Sequence, residues 1–172
     1  MMNFFKAKSY IVKHTCIGLM ISLIVLFLDQ LSKYWIINII QLPEKGTIAI
    51  MPTLNFTMVW NKAITFGLFS QLGNVAPILF TLLALCIVFF LFLWLVRTKK
   101  WWITLALGAI IGGAIGNVMD RIRLGAVIDF IHFHIGQWSW YVFNVADSAI
   151  VCGVAILLFD ALFLKENKNA QE

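Results

Sequence analysis

The chain has little charge and few acidic side chains. Only 12% of its 172 residues are charged, and 8 acidic residues stand against 13 Lys and Arg. The charged share is about half of that in soluble globular domains, and the mean hydropathy is +0.92. A water-soluble globular domain is therefore excluded. The net charge of +5 does not indicate nucleic-acid binding, because the cations flank apolar runs in short clusters instead of sharing one polar face.

Cysteine is also scarce. Cys16, Cys86 and Cys152 are odd in number, lack CxxC spacing and lie in apolar segments. We interpret them as small buried hydrophobic residues, which excludes a disulfide scaffold. His132 and His134 form an H-x-H pair, but no third ligand has the spacing of a zinc site, so we interpret them as interfacial histidines. We expect no metal and no cofactor.

The chain contains several long runs of apolar residues. Four stretches reach the ~20 residues that cross a hydrocarbon core. They are residues 17–40, 75–96, 101–119 and 141–164. The first follows basic residues, as in a signal peptide, but it is too long for one and no A-x-A cleavage site follows, so we expect it to be retained. The sequence predicts one membrane-embedded domain over residues 1–172, with loops at 41–74 and 120–140.

Lysine and arginine predict the orientation in the membrane. Basic clusters precede the first span, fill the turn between the second and third, and follow the fourth, so all three fall on one face. They are Lys6, Lys8 and Lys13; Arg97, Lys99 and Lys100; and Lys165 and Lys168. The positive-inside rule makes this face cytoplasmic. Both termini are then expected in the cytoplasm and both loops outside. Asp160, near the cytoplasmic end of the fourth span, is expected to reach Lys165 or water.

Two patterns predict local structure. Residues 47–60 are rich in β-branched and aromatic residues, which predicts short strands in the first loop. Gly108, Gly112 and Gly116 recur every four residues in the third span. This spacing lets another helix approach closely, so we assign the stripe to helix packing.

Ionisable residues inside membrane spans are costly and mark candidate functional positions. Asp29 and Lys33 lie four residues apart on one helical face, which indicates a structural ion pair. Contact of Lys33 with a substrate is the less favoured alternative. Asn117, Asp120 and Arg121 also share a helical face. This shared face makes them candidate functional residues. The alternative is that Asp120 and Arg121 serve only to end the helix and anchor it at the interface.

Asp129 and Asp147 are the most informative pair. Each lies where a span meets water, Asp129 after the third span and Asp147 near the start of the fourth, one helical turn beyond Asn144. Two carboxylates at one depth can share a proton and perform acid–base chemistry near neutral pH. The alternatives are a surface carboxylate for Asp129 and a structural hydrogen bond for Asp147. Ser148 has no base at a suitable position, so we discount it as a nucleophile.

Four runs of sequence carry a resemblance to a known family. They are LDQLSK at 28–33, NKAITFG at 61–67, GNVMDRIRLGAVIDF at 116–130 and FNVADSAI at 143–150. In these runs the chain resembles the bacterial lipoprotein signal peptidases, or signal peptidase II, over nearly its whole length. The last two runs are the most specific, since each sets an aspartate in a distinctive polar frame. Ala63 and Thr65 depart from the family pattern, which has Gly at the first position and Ala or Ser at the second.

The resemblance implies an all-α integral membrane protein with four transmembrane helices, a small extracytoplasmic β-cradle and a short interfacial helix. It also implies a protease of the bacterial inner membrane that removes the signal peptide from lipid-modified prolipoproteins, cutting N-terminal to a diacylglyceryl-cysteine. Membrane lipid is the other expected partner, nucleic acid is not a partner, and a monomer is expected.

The resemblance also assigns roles to residues. The family's two catalytic aspartates match Asp129 and Asp147. The residues expected to bind substrate or support this pair are Asn61, Asn117, Arg121 and Asn144. From their positions in the spans, and not from the resemblance, we expect Asp29, Lys33 and Asp120 to be structural.

Two other classes of function are less favoured. A transporter or proton-conducting bundle would use Asp29, Lys33 and Asp147 as a relay through the membrane. However, the second span has no charged residue between positions 75 and 96. A non-catalytic assembly factor would account for the glycine stripe, but not for Asn–Asp frames on two separate spans.

Overall fold

The computed structural model describes residues 2–62 and 75–164, with side chains for residues 12–62 and 75–163. Four helices in this range are long and apolar enough to cross a membrane: Val12–Ile39, Val75–Leu95, Trp101–Leu124 and Val145–Phe163. With the small sheet that accompanies them, they confirm the predicted fold. Four positions singled out in the sequence, Ala63, Thr65, Lys165 and Lys168, lie outside the described residues.

The elements follow one another along the chain in a simple order. α1 (Met2–Tyr34) passes into a π-helical turn at Trp35–Ile39, and the single turn α2 (Leu42–Lys45) precedes the strands β1 (Thr47–Met51) and β2 (Leu54–Asn61). Next come α3 (Val75–Leu95), α4 (Trp101–Leu124), β3 (Val127–Ile135) and β4 (Trp138–Ser139). The last elements are α5 (Val145–Phe159) and a second π-helical turn at Asp160–Leu164.

The third span is longer than predicted. Hydropathy ends it at Met119, because charged residues such as Asp120 and Arg121 are costly in lipid. α4 instead continues to Leu124, since the protein itself surrounds Asp120, which is 2% exposed. The helix stops where Gly125 adopts a left-handed φ of 71°, a conformation that glycine reaches without steric cost.

The fourth span begins later than predicted. The sequence places its start at Tyr141, whereas α5 begins at Val145. Asn144 caps the helix: its side chain accepts from the backbone N–H of Asp147, whose carboxylate accepts from the backbone N–H of Asn144. This reciprocal pair satisfies donors that the first turn would otherwise leave free. The boundary is thus set by the residues of the candidate site.

α4 is the central helix of the bundle. Over an apolar stretch of 18 residues in its span, 67% of the residues are buried inside the protein, against between 6% and 17% for the corresponding stretches of the other three spans. α1, α3 and α5 pack around it. The predicted burial of the cysteines is wrong, because Cys16, Cys86 and Cys152 are exposed on the surface of the bundle. An apolar segment in a membrane protein can face lipid instead of a protein core.

The glycine stripe of α4 lies against α1. A Cβ on Gly108 would lie 2.5 Å from a backbone oxygen of α1, and one on Gly112 would overlap the backbone of Ser22. At Gly116 a Cβ would lie 2.5 Å from Oδ2 of Asp29. The stripe therefore brings the two backbones together, as predicted, and admits the Asp29 carboxylate to the same interface.

A four-stranded antiparallel sheet, in the order β1-β2-β3-β4, covers one end of the bundle. The strands predicted at residues 47–60 are confirmed as β1 and β2. Ile36 and Leu42 pack against Ile128 and Phe130 under the sheet. We call this the sheet end of the bundle; the end of α1, the end of α4 and the start of α5 all meet there.

The opposite end is closed by polar contacts of Asp160. Its Oδ1 lies 2.7 Å from Nζ of Lys100 and accepts from Nε1 of Trp102 at 2.7 Å. Neither partner was predicted from the sequence, which suggested Lys165 or water for Asp160. They meet because antiparallel packing sets the start of α4 beside the end of α5.

Replacing Gly112 with alanine should push α1 away from α4, because the added methyl group meets the Ser22 backbone. Overpacking of this kind costs about 1–3 kcal/mol. The thermal unfolding midpoint in detergent should be lower for Gly112→Ala than for the parent chain. Ala155→Val, which enlarges an exposed side chain of α5, should leave it unchanged. Equal midpoints for Gly112→Ala and the parent would contradict the close helix contact.

Candidate active site

A buried lysine binds two carboxylates in the half of the bundle nearest the sheet. Nζ of Lys33 lies 2.8 Å from Oδ2 of Asp29 and 2.7 Å from Oδ2 of Asp120. None of the three side chains is more than 2% exposed. The predicted ion pair is present, and it is one half of a larger cluster. The backbone N–H of Ala146 also donates to Oδ1 of Asp29 at 3.0 Å, so the cluster joins α1, α4 and α5.

Sequence reasoning missed one member of this cluster, Gln30. Its Nε2 donates to Oδ1 of Asp120 at 3.1 Å and to Oδ2 of Asp29 at 3.2 Å. Two carboxylates share the single Lys33 ammonium, so the neutral amide supplies donors that the cation cannot. The sequence did contain a signal that could have identified Gln30, because it follows Asp29 directly in the LDQLSK run.

Asn117 connects the ion cluster to a second polar group. Its Oδ1 accepts from Nζ of Lys33 and from Nδ2 of Asn144, each at 3.1 Å. Its Nδ2 donates to Oδ1 of Asp147 at 2.8 Å. An amide can accept and donate at the same time, so Asn117 orients the Asp147 carboxylate from the direction of the buried cation.

Asn144 contacts both candidate aspartates. Its Nδ2 donates to Oδ1 of Asp129 at 2.7 Å, and its backbone N–H donates to Oδ2 of Asp147 at 3.2 Å. The Asn144 side chain is fully buried, and its position is fixed by its role as the N-cap of α5. The first turn of α5 and the strand β3 therefore bring the two carboxylates to one place.

Asp129 has an altered proton affinity. It lies on β3, beyond the end of α4, and is 2% exposed. Burial raises its pKa to about 6, and the negative charge of Asp147 adds to this rise. Hydrogen bonds from Asn61, at 2.9 Å, and from Asn144 oppose the rise because they stabilise the carboxylate. Near neutral pH Asp129 can both hold and release a proton, as acid–base catalysis requires.

Arg121 borders the two aspartates. Its guanidinium charge lies near the carboxylates of Asp147 and Asp129. Its Nη1 donates to the backbone oxygen of Asn117 at 3.4 Å. Its Nε is buried and makes no hydrogen bond within the described part of the chain. Arg121 therefore has a donor available beside the carboxylates.

An open cavity of about 530 Å³ reaches Asp129 from the sheet end. His132 lies in its wall, where Nδ1 lies 3.3 Å from the hydroxyl of Thr57 and Nε2 contacts the hydroxyl of Ser139. Among residues 12–62 and 75–163, no third His, Cys, Asp or Glu joins His132 and His134 in a group that could hold a metal ion. The residues of this site fit acid–base chemistry by two carboxylates.

The structure joins all the predicted site residues in one hydrogen-bonded or electrostatic network. Its members are Asp29, Lys33, Asn61, Asn117, Asp120, Arg121, Asp129, Asn144 and Asp147. Ser148 borders this network, with its hydroxyl donating to the backbone oxygen of Asn144 at 3.0 Å. Arg123 lies at the margin, with Nη1 donating to Gln30 at 3.4 Å.

Comparison with known proteins places this network in a family. Residues 21–163 match the family model for signal peptidase (SPase) II. A lipoprotein signal peptidase from Methylorubrum extorquens is 44% identical over 145 residues, which cover 84% of this chain and 85% of that protein. One from Anaplasma phagocytophilum is 39% identical over 158 residues, covering 92% of this chain and 99% of that protein.

A solved structure of a bacterial membrane enzyme has a similar fold. A bacterial membrane enzyme determined by the in meso method at 1.9 Å resolution is similar with a TM-score of 0.72 and 27% sequence identity. The similarity covers 85% of this chain and 92% of the other. The family model, the relatives and the shared fold agree with the four motifs that carry the resemblance. The chain belongs to the signal peptidase II family of membrane peptidases.

Proposed function

We propose that the chain is an intramembrane aspartyl endopeptidase that removes signal peptides from diacylglyceryl-modified prolipoproteins. Membership of the signal peptidase II family supports the cleavage of prolipoprotein signal peptides. The observation that carries the aspartyl mechanism is the contact of Asn144 with both Asp129 and Asp147. It holds two carboxylates together beside an open cavity, as a shared-proton pair requires.

The two carboxylates differ in ways that assign their roles. Asp147 accepts hydrogen bonds from the side chain of Asn117 and the backbone N–H of Asn144 and lies near the Arg121 guanidinium, an arrangement that suits a general base. Asp129 is more deeply buried and its raised pKa favours the protonated form. We therefore assign Asp147 as the general base and Asp129 as the general acid. In this assignment the two carboxylates share one proton, which Asp129 holds before the reaction.

Hydrolysis then proceeds in two steps. Asp147 takes a proton from a water molecule, whose oxygen bonds to the scissile carbonyl carbon, while Asp129 gives its proton to the carbonyl oxygen. In the second step the Asp147 proton moves to the amide nitrogen and the C–N bond breaks. Asp129 recovers its proton from the hydroxyl group of the tetrahedral intermediate. The products are a signal peptide with a new carboxylate and a mature chain whose lipidated cysteine has a free amine.

The remaining polar residues support this reaction. Asn61, Asn117 and Asn144 orient the carboxylates through the hydrogen bonds described above. The unused Nε donor of Arg121 would bind a main-chain carbonyl of the substrate next to the cut. Asp29, Lys33 and Asp120 hold the helices in register. One chain supplies the whole network, so the enzyme would act as a monomer.

The membrane orientation follows from the same assignment. We place the sheet end on the outer side of the inner membrane, with both termini in the cytoplasm. Lys100 then lies at the cytoplasmic end beside Asp160, as the positive-inside rule requires. The acyl chains of the substrate stay in lipid along the apolar outer faces of the helices, while the peptide bond reaches the two aspartates.

Asp129→Asn and Asp147→Asn should each abolish catalysis without unfolding the chain, because an amide keeps the shape of the carboxylate but cannot cycle a proton. A positioned acid or base contributes about 10²–10⁴ in rate, so single-turnover cleavage of a lipidated precursor should fall by that factor. Asp160→Asn, which alters a carboxylate at the opposite end of the bundle, should cleave at the parental rate. Near-parental rates for either site variant would end the aspartyl assignment.

The pH profile should report the Asp129 proton. A carboxyl with a raised pKa holds its proton to higher pH, so kcat/KM should decline as pH rises through about 6, where Asp129 ionises. Asn61→Ala removes a donor that stabilises the ionised form, so its decline should shift to higher pH. Asn38→Ala, at an exposed residue of the same end, should keep the parental profile. A shift to lower pH in Asn61→Ala would refute the assignment.

Substrate lipid should be required and metal should not. The purified protein should cleave a diacylglyceryl-modified precursor but not the same precursor without lipid, and a chelator should leave the rate unchanged. Mass spectrometry of the two products would locate the cut on the N-terminal side of the modified cysteine. Loss of cleavage on chelation, regained on adding metal, would show that the two carboxylates are not sufficient.

A further inference from the structure

The cavity beside Asp129 has walls that the proposed mechanism does not use. His132, Ser139 and Lys62 line it together with three aromatic residues. The aromatic side chains are Trp60, Trp140 and Tyr141, which are 45%, 53% and 62% exposed. A buried carboxyl at the base of a cavity with half-exposed aromatic walls is suited to bind an extended peptide.

The His132 ring is held in place by the sheet. Its Nδ1 lies 3.3 Å from the Thr57 hydroxyl, which accepts in turn from the Thr47 hydroxyl at 3.3 Å. Its Nε2 contacts the hydroxyl of Ser139 on β4. These contacts cross all four strands and none reaches Asp129 or Asp147. The ring is therefore fixed as part of the cavity wall without serving the carboxylates.

The location of the cavity determines which part of a precursor it could receive. An apolar signal peptide lies in the membrane, whereas the chain after the lipidated cysteine leads into water. The cavity opens on the sheet, beyond the ends of the membrane helices. We propose that it binds the residues that directly follow the lipidated cysteine, and that His132 and Lys62 select among them. This inference rests on the proposed peptidase function.

The charges in the cavity determine the preference. Among the described residues that line it, the charged or titratable groups apart from the tyrosine are Lys62, His132 and Asp129, and Asp129 is buried at the base. In this wall the Lys62 ammonium, with the His132 imidazole and the aromatic faces beside it, attracts an acidic residue and repels a lysine. Partly exposed charge pairs are weak, and about a fivefold preference is the expected size.

The test uses three diacylglyceryl-modified precursors that differ only in the residue after the cysteine: glutamate, glutamine or lysine. For the parental chain, kcat/KM should be about fivefold higher with glutamate than with lysine, and glutamine should fall between them. Lys62→Gln and His132→Gln should each reduce the ratio, and the double variant should bring it near one. For each variant, kcat/KM with the glutamine precursor serves as its own reference, so an overall loss of activity does not affect the glutamate-to-lysine ratio.

Two matched controls isolate the cavity. Lys45→Gln removes an exposed cation from the same end of the bundle, and His134→Gln alters a histidine on the same strand that does not line the cavity. Both should keep the parental ratio. Equal kcat/KM for the three precursors, or a ratio that persists in the double variant, would overturn the inference while cleavage itself upholds the peptidase. Failure of the parental chain to cut any of the precursors would overturn both.

Discussion

The rest of the structure depends on the ion cluster that the ammonium group of Lys33 forms with Asp29 and Asp120. Asp29 and Asp120 carry two negative charges into an apolar bundle, and both bind this one cation within 2.8 Å. Removing one partner from a buried ion pair typically costs about 3–5 kcal/mol. The glycine stripe makes the cluster possible, because Gly116 leaves room for the Asp29 carboxylate between the helices. The close packing of α1 on α4 and the pairing of these three charges therefore depend on each other.

Two asparagine side chains link this ion cluster to the two candidate aspartates. Asn117 accepts from Lys33 and donates to Asp147, so the orientation of a carboxylate on α5 is tied to a cation on α1. Asn144 extends the link to Asp129 on β3. Asparagine suits this position because it donates and accepts without adding charge. A further carboxylate there would repel both aspartates, and an apolar residue would leave their oxygens without donors in a buried site.

Much of this arrangement can be predicted from the sequence, and the failures share a physical cause. Apolar runs predict the four spans, and the four sequence motifs contain every residue of the candidate site. Hydropathy measures the cost of a side chain in lipid, so it ends the third span at Met119, although the protein itself surrounds Asp120 in the longer helix. Gln30 was missed because its partners come from α4, and the cysteines were misjudged because apolar surface can face lipid. Membership of the signal peptidase II family favours a peptidase over a transport relay or an assembly factor.

The central claim is that Asp129 holds the shared proton, and infrared difference spectroscopy during a pH titration tests it most directly. The parental chain should show a protonated-carboxyl band that disappears as pH rises through about 6. The band should be missing in Asp129→Asn and unchanged in Asp160→Asn. A titrating band that persists in Asp129→Asn would place the proton elsewhere and contradict the account.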